Sequence, residues 1–169
     1  MKFNEFYSLT IVHSRDIILV KGVDYMNITK QKSQKTFDKQ AADYDTNIQG
    51  EHARKLYKPI IENLKNKNIH SILDLGCGTG ALLKEIKELN IAEQLFGIDI
   101  SPNMLEIAEN KLGNDATLIL GDSERLPFED SSFDAIVCND SFHHYPQPDI
   151  VEKEVSRCLK QNGVFIIGD

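Results

Sequence analysis

Residues Ser71-Ile72-Leu73-Asp74-Leu75 form an apolar, strand-like run, and Gly76, Gly78 and Gly80 follow at alternate positions before a helix-like segment begins. That junction constrains the chain more than any other feature. Glycines at this spacing let the backbone turn sharply and approach a ligand with no Cβ in the way, while the amides at the start of the next helix face a negative group. The pattern reads as a nucleotide-cradling turn. The helix that follows is periodic, with Leu82, Leu83, Ile86 and Leu89 on one face and Lys84, Glu85, Lys87 and Glu88 between them.

A second acidic signal raises the weight of the first. The run Leu95-Phe96-Gly97-Ile98-Asp99-Ile100 reads as a strand ending in a carboxylate, about twenty residues beyond the glycines, where an acid can bind both hydroxyls of a ribose. Alone, Asp99 reads equally as a solvated strand end; the interval from the glycine turn favours the ligand.

From residue 71 the pattern alternates: strands near 71–75, 94–99, 116–120, 133–138 and 163–168, helices near 80–89, 102–112 and 148–160. This order predicts an α/β domain with a doubly wound, parallel sheet. Ser101 and Pro102 suit the cap and first turn of the second of these helices, whose buried face is Met104 or Leu105, Ala108 and Leu112. The last helix turns Val151, Val155 and Cys158 or Leu159 inward, and Asn162-Gly163 is its expected left-handed stop. Two further helices are expected before the sheet, at 31–45 and at 51–66, the second bent at Pro59. In the first, Phe37, Ala41 and Tyr44 share a face that can pack on the sheet.

The 169 residues suffice for one domain with a core, and 41% hydrophobic with 27% charged residues is an ordinary globular balance. A net charge of −7 argues against nucleic-acid partners, which are held by clustered Lys and Arg. Cys77, Cys138 and Cys158 are odd in number and form no Cys-x-x-Cys pair, so neither a disulfide framework nor a thiolate zinc site is expected, and a reducing, cytoplasmic setting fits best. The apolar runs at 17–20, 135–138 and 164–167 are too short to insert across a membrane.

The sequence resembles the class I S-adenosylmethionine-dependent methyltransferases, in particular the small-molecule group that includes ubiquinone and menaquinone biosynthesis enzymes. The matching blocks run from Phe37-Asp38-Lys39-Gln40-Ala41-Ala42-Asp43-Tyr44-Asp45 through Asp74–Gly80, Gly97–Leu105, Gly121–Phe128 and Phe133–Asn139 to Leu159–Gly163, in the family's order. The resemblance implies a Rossmann-like sheet of order 3-2-1-4-5 and the cofactor S-adenosyl-L-methionine, with S-adenosyl-L-homocysteine as product. It implies that the turn containing Gly76, Cys77, Gly78 and Gly80 passes beside the methionine and ribose, that Asp74 helps hold the amino group, and that Asp99 takes the ribose hydroxyls. Ile100 and Met104 are then expected to pack on the adenine, Asp122 to accept from its amino group with Ser123 beside it, and Asn139 to lie at the cleft's opening. Tyr44 is implied in a lid near the methionine carboxylate. The family normally continues through another helix and an antiparallel strand pair, so residues 26–169 are expected to be a methyltransferase domain lacking those last two strands. Residues 1–25 form an extension outside the resemblance, with a hairpin of Leu9-His13 and Asp16-Lys21 as one reading. The fifth strand, left as an edge, is an expected site of self-association.

Methyl transfer is an in-line displacement in which alignment supplies much of the catalysis, and a general base is needed only for a hydroxyl or protonated amine acceptor. Of His143 and His144, both just past the fourth strand, His143 is the candidate base facing a small-molecule acceptor; the alternative is a solvated loop histidine. Asp140, His143 and His144 lack a supporting ligand cluster, so no metal is expected. Two other functions compete. An NAD-dependent oxidoreductase would use Gly76-x-Gly78-x-x-Ala81 and Asp99, but Asp74, Gly80, the Asp122-Ser123 pair and the lack of a Tyr-x-x-x-Lys pair weigh against it. A non-catalytic, cofactor-binding fragment is the other.

Overall fold

The computed structural model describes residues 25–48 and 50–169. The extension, with its expected hairpin, lies outside the described residues apart from Tyr25. Helices α1 (Tyr25–Gln40) and α2 (Glu51–Leu64) precede an alternation of β1 (Ile69–Leu75), α3 (Ala81–Glu88), β2 (Ala92–Asp99), α4 (Pro102–Leu112), β3 (Ala116–Leu120), β4 (Phe133–Asn139), α5 (Pro148–Cys158) and β5 (Leu159–Gly168). The strands lie in the order β3-β2-β1-β4-β5, and every pair is parallel. This is the expected doubly wound, Rossmann-like α/β sheet.

Alternation along the central strands feeds two apolar layers. Ile72, Ala135 and Val137 meet Ile61 and Leu64 of α2 and Leu83 and Ile86 of α3. Leu73, Leu75, Ile136 and Cys138 point the other way, onto Val151, Val155 and Cys158 of α5. A central parallel strand covered on both faces needs this continuous apolar run, and each fully buried aliphatic side chain contributes roughly 1.5–3 kcal/mol. The order reverses where β1 and β4 lie side by side, which opens a cleft at the carboxyl ends of the strands.

The helix ends show how local chemistry sets the frame. Ser101 caps α4, its hydroxyl accepting from the Met104 amide at 3.1 Å, and Pro102 occupies the first turn. Met104, Leu105, Ala108 and Leu112 are all buried. Leu89, expected on the apolar face of α3, is instead 51% exposed. The helix has already ended: Asn90 takes a left-handed φ of 50°, its amide bonds to the Lys87 carbonyl, and that of Ile91 reaches back to Ile86. This closing motif substitutes Ile91 for Leu89 as the residue packed on the core.

Three boundaries differ from expectation. The first helix begins at Tyr25 and gives way to a short 3-10 turn at Ala41–Asp43 rather than running to 45. The second continues as a helix through Pro59 to Leu64. The last helix stops at Cys158, well before Asn162-Gly163, because the Ser131 and Ser132 amides take the Arg157 and Cys158 carbonyls at 2.9 and 2.8 Å. Asn162 does adopt a left-handed φ of 67°, but inside β5, where the pairing with β4 jumps from Phe133↔Leu159 to Ala135↔Val164. The expected helix stop is a bulge.

Candidate functional site

The loop after β1 is built for close approach. Gly76, Gly78 and Gly80 take φ values of 69°, 51° and 72°, a region open to glycine at little cost. The Gly76 and Cys77 amides both bond to the Ile98 carbonyl, at 2.8 and 3.1 Å, so the turn folds over the end of β2. Asp99, at that end, closes the arrangement: one carboxylate oxygen accepts from the Gly78 amide and the other from the Ser101 amide, each at 2.8 Å. A carboxylate has about four acceptor positions, so two remain for a ligand diol. Burial pushes the Asp99 carboxyl up from its ordinary pKa, against the opposing pull of these amides.

Asp74 is the odd member. It is 1% exposed, its Oδ1 has no hydrogen-bond partner, and burial together with the nearby Asp99 charge raises its pKa well above the ordinary carboxylate range. Leaving a buried acceptor unsatisfied costs roughly 1–3 kcal/mol. Among the described residues one other buried side-chain atom shares this condition, the Oδ1 of Asn139, and both residues line the same cleft. The chain therefore holds two unmet acceptors at the β1 and β4 strand ends, which fits a bound donor such as an ammonium group. The α-amino group of S-adenosyl-L-methionine is of this kind.

The cleft is open to solvent and sits at the carboxyl ends of the strands, where sheets of this kind bind small molecules. It gathers Tyr44, Asp74, Gly76, Cys77, Gly78, Asp99, Ile100, Met104, Asp122, Ser123 and Asn139. Gly80, also expected to contact the cofactor, stands behind the turn: a Cβ there would come within 2.8 Å of Leu112 and 3.1 Å of Ala108, so its place is in α3–α4 packing. His143 does not line the cleft. It turns outward onto the side-chain carboxylate of Asp169, while His144 lines the cleft's rim. Desolvation and the neighbouring His143 lower the His144 pKa, against the opposing pull of Asp140 and Asp169.

Several cleft residues carried no local signal. Tyr145 sets its hydroxyl between Ser123 and Ser141, at 3.2 and 3.1 Å, and Ser141 donates to the Leu75 carbonyl at 2.8 Å. One aromatic side chain thus ties the loops after β1, β3 and β4 together. Lys30 of α1 donates to Asp122 at 2.7 Å and also pairs with Glu124. Asp38 accepts from the Ser101 hydroxyl at 2.6 Å, and Asp45 accepts from Lys111 at 2.7 Å and from Thr79. These contacts span 34 to 94 residues in sequence, beyond any local pattern; Asp38 and Asp45 did fall in the resembling block. They strap α1 and the following turn across the cleft, with Phe37 and Tyr44 on its wall.

Among the described residues Asp140, His143 and Asp169 bring ligand-type atoms within 4.8 Å of one another. His143 and Asp169 are already hydrogen-bonded to each other, and Asp140 is bonded to His52 at 2.6 Å. Among the described residues no helix is long and apolar enough to cross a membrane.

Residues 73–167 match the family described as "Methyltransferase domain". Among curated proteins, the chain is 34% identical over 142 residues to a demethylmenaquinone methyltransferase of Thermotoga maritima, a match covering 82% of this chain and 62% of that protein. It is 35% identical over 125 residues to the sterol 4-C-methyltransferase strm-1 of Caenorhabditis elegans, covering 70% of this chain and 36% of the relative. The chain thus spans between about a third and two thirds of the length of these relatives. Among solved structures, the YcgJ protein of Bacillus subtilis superposes with a TM-score of 0.62 at 29% identity, covering 68% of this chain and 50% of that one.

Proposed function

The chain belongs to the methyltransferase-domain family, and from that premise we propose that it binds S-adenosyl-L-methionine in the cleft at the strand ends and serves methyl transfer to a small-molecule acceptor. The observation that carries this reading is the buried, unsatisfied Oδ1 of Asp74 beside the glycine turn and Asp99.

Asp74 and Asn139 offer acceptors to the amino group, Asp99 its two free acceptor positions to the ribose, and Ile100 and Met104 an apolar wall to the adenine. Asp122, with Ser123 beside it, accepts from the adenine amine; Lys30 already holds one of its oxygens. The cofactor supplies a methyl group on a positively charged sulfur. The protein's part is to align and to exclude water: Phe37 and Tyr44 close the cleft from the lid side. His144, rather than His143, is the histidine positioned to accept a proton from an acceptor.

The same observation weighs against a nicotinamide dinucleotide. A diphosphate at this turn would face the buried carboxyl of Asp74, so the glycine loop that fits the looser dinucleotide pattern is electrostatically wrong for one. A thermal-shift comparison tests the choice. S-adenosyl-L-homocysteine should raise the melting temperature and NAD should not; a shift with NAD alone would overturn the reading.

A further inference from the structure

In the sheet order β3-β2-β1-β4-β5 the proposed cofactor contacts run from Asp122, after β3, through Asp99, at the end of β2, to the turn after β1. The cleft continues past them toward the loop after β4, where Asp140 and His144 line it together with Phe37 and Tyr44 of the lid. Phe37 meets His144 edge to face at 5.2 Å between ring centroids and Tyr44 at 6.5 Å. Asp140 lies close enough to both Tyr44 and His144 to act on their titration. One Asp140 oxygen accepts from His52, at 2.6 Å, which leaves the other for a ligand. Its backbone, at a left-handed φ of 53°, is fixed by a bond from its amide to the Gly168 carbonyl.

The charge of the cleft has a clear sign. Asp74, Asp99, Asp122 and Asp140 contribute carboxyl groups to its wall, against one lysine among the described residues, Lys30, which is already bound to Asp122 and Glu124. Aromatic faces beside a carboxylate attract a cation and disfavour an anion.

We infer that the part of the cleft lined by Phe37, Tyr44, Asp140 and His144 is the acceptor subsite and that it takes a protonated amine, rejecting carboxylate- and phosphate-bearing acceptors. This rests on the cofactor reading above. The ammonium sits against the ring faces with Asp140 as its counter-charge. Before it can accept a methyl group one N–H bond must break, with the electron pair staying on nitrogen; the proton passes to the imidazole of His144 and from there to water at the rim.

The test separates the subsite from the cofactor site. The full chain is first titrated calorimetrically with S-adenosyl-L-homocysteine, whose sulfur is neutral, so that no sulfonium competes for the subsite. The loaded protein is then titrated by NMR with benzylamine, benzyl alcohol and benzoate, one ring carrying a positive, a neutral or a negative group at neutral pH. Benzylamine should bind about tenfold more tightly than benzyl alcohol, with benzoate weakest. Asp140→Asn should erase the preference for benzylamine while leaving the affinity for S-adenosyl-L-homocysteine within about twofold. Equal binding of the three probes, a preference for benzoate, no binding of any, or a charge preference that survives in Asp140→Asn overturns the inference with the cofactor reading intact. Failure of S-adenosyl-L-homocysteine to bind overturns both.

Discussion

The two walls of the cleft are held in place by different forces. The sheet wall presents Asp74 and Asp99 from strands whose side chains at Leu73, Leu75, Ile98 and Val137 are completely buried. The lid wall, α1 and the turn after it, contributes one buried residue, Ala41, among its described residues 28–48. It is fastened instead by Lys30 to Asp122 and Glu124, by Asp38 to Ser101, by Asp45 to Lys111, and by Arg54 donating to the Tyr44 and Asn47 carbonyls. Buried apolar area holds regardless of salt, whereas partly exposed ion pairs contribute about 0–1 kcal/mol each and weaken as salt rises. On the proposed reading the difference is a division of labour: a fixed wall that defines what binds, and a more weakly fastened wall expected to open for exchange.

The contrast breaks most visibly in the core. Leu75→Ala should cost about 2–5 kcal/mol of stability, because the removed side chain leaves a cavity between β1 and α5. Lys30→Met, on the lid, should cost less, about 1–2 kcal/mol, because the nearly buried Glu124 loses its cation but keeps its bonds from Gln147. Chemical denaturation measures both, and comparable losses would erase the distinction.

Next in size is the effect on the ligand. Asp99→Ala should weaken S-adenosyl-L-homocysteine about a hundredfold by removing the ribose acceptor and loosening the Gly78 turn it holds. Lys30→Met should change the dissociation rate more than the affinity, read by stopped-flow fluorescence. Raising salt to about 1 M should speed dissociation from the wild type and have little effect on the variant.

A smaller effect sharpens the comparison at the sheet's edge. Among the described strands β5 pairs with β4 alone. Val164 and Ile166 pack on the core beside α2, but Ile167 is 44% exposed. An edge with exposed apolar residues invites pairing with another chain. Ile167→Lys should lower any concentration-dependent association seen by sedimentation and leave stability within about 0.5 kcal/mol. The same charge at Ile166 should instead destabilise the fold. A wild type that stays monomeric at high concentration would contradict the edge argument.

Much of the fixed wall was legible in the sequence. Its residues lie on strand ends, so the period of the apolar runs, the alternate glycines and the interval to Asp99 located most of them. The lid was legible only as the face of Phe37, Ala41 and Tyr44, because the partners of Lys30, Asp38 and Asp45 lie far along the chain and follow no periodicity. The sequence favoured His143 over His144, whereas one short 3-10 turn, Phe142–His144, decides which ring faces the cleft. Gly80 shows the opposite failure. Three glycines at one spacing and one backbone geometry serve two purposes, and only the proximity of α4 separates them.

The central claim, that Asp74 waits for the amino group of the cofactor, is most directly tested by calorimetric titration of S-adenosyl-L-homocysteine from mildly acidic to neutral pH, in buffers of different ionisation enthalpy. Asp74 has a folded-state pKa raised above its unfolded value, so without ligand its ionisation destabilises the fold as pH rises through that interval. A bound ammonium favours the ionised form. Binding should therefore release a proton, and affinity should fall as pH drops through the Asp74 pKa. Asp74→Asn should abolish the proton release, weaken binding at neutral pH, and make the ligand-free protein more stable by roughly 1 kcal/mol. Undiminished binding by Asp74→Asn, with the same proton release as the wild type, would contradict the account.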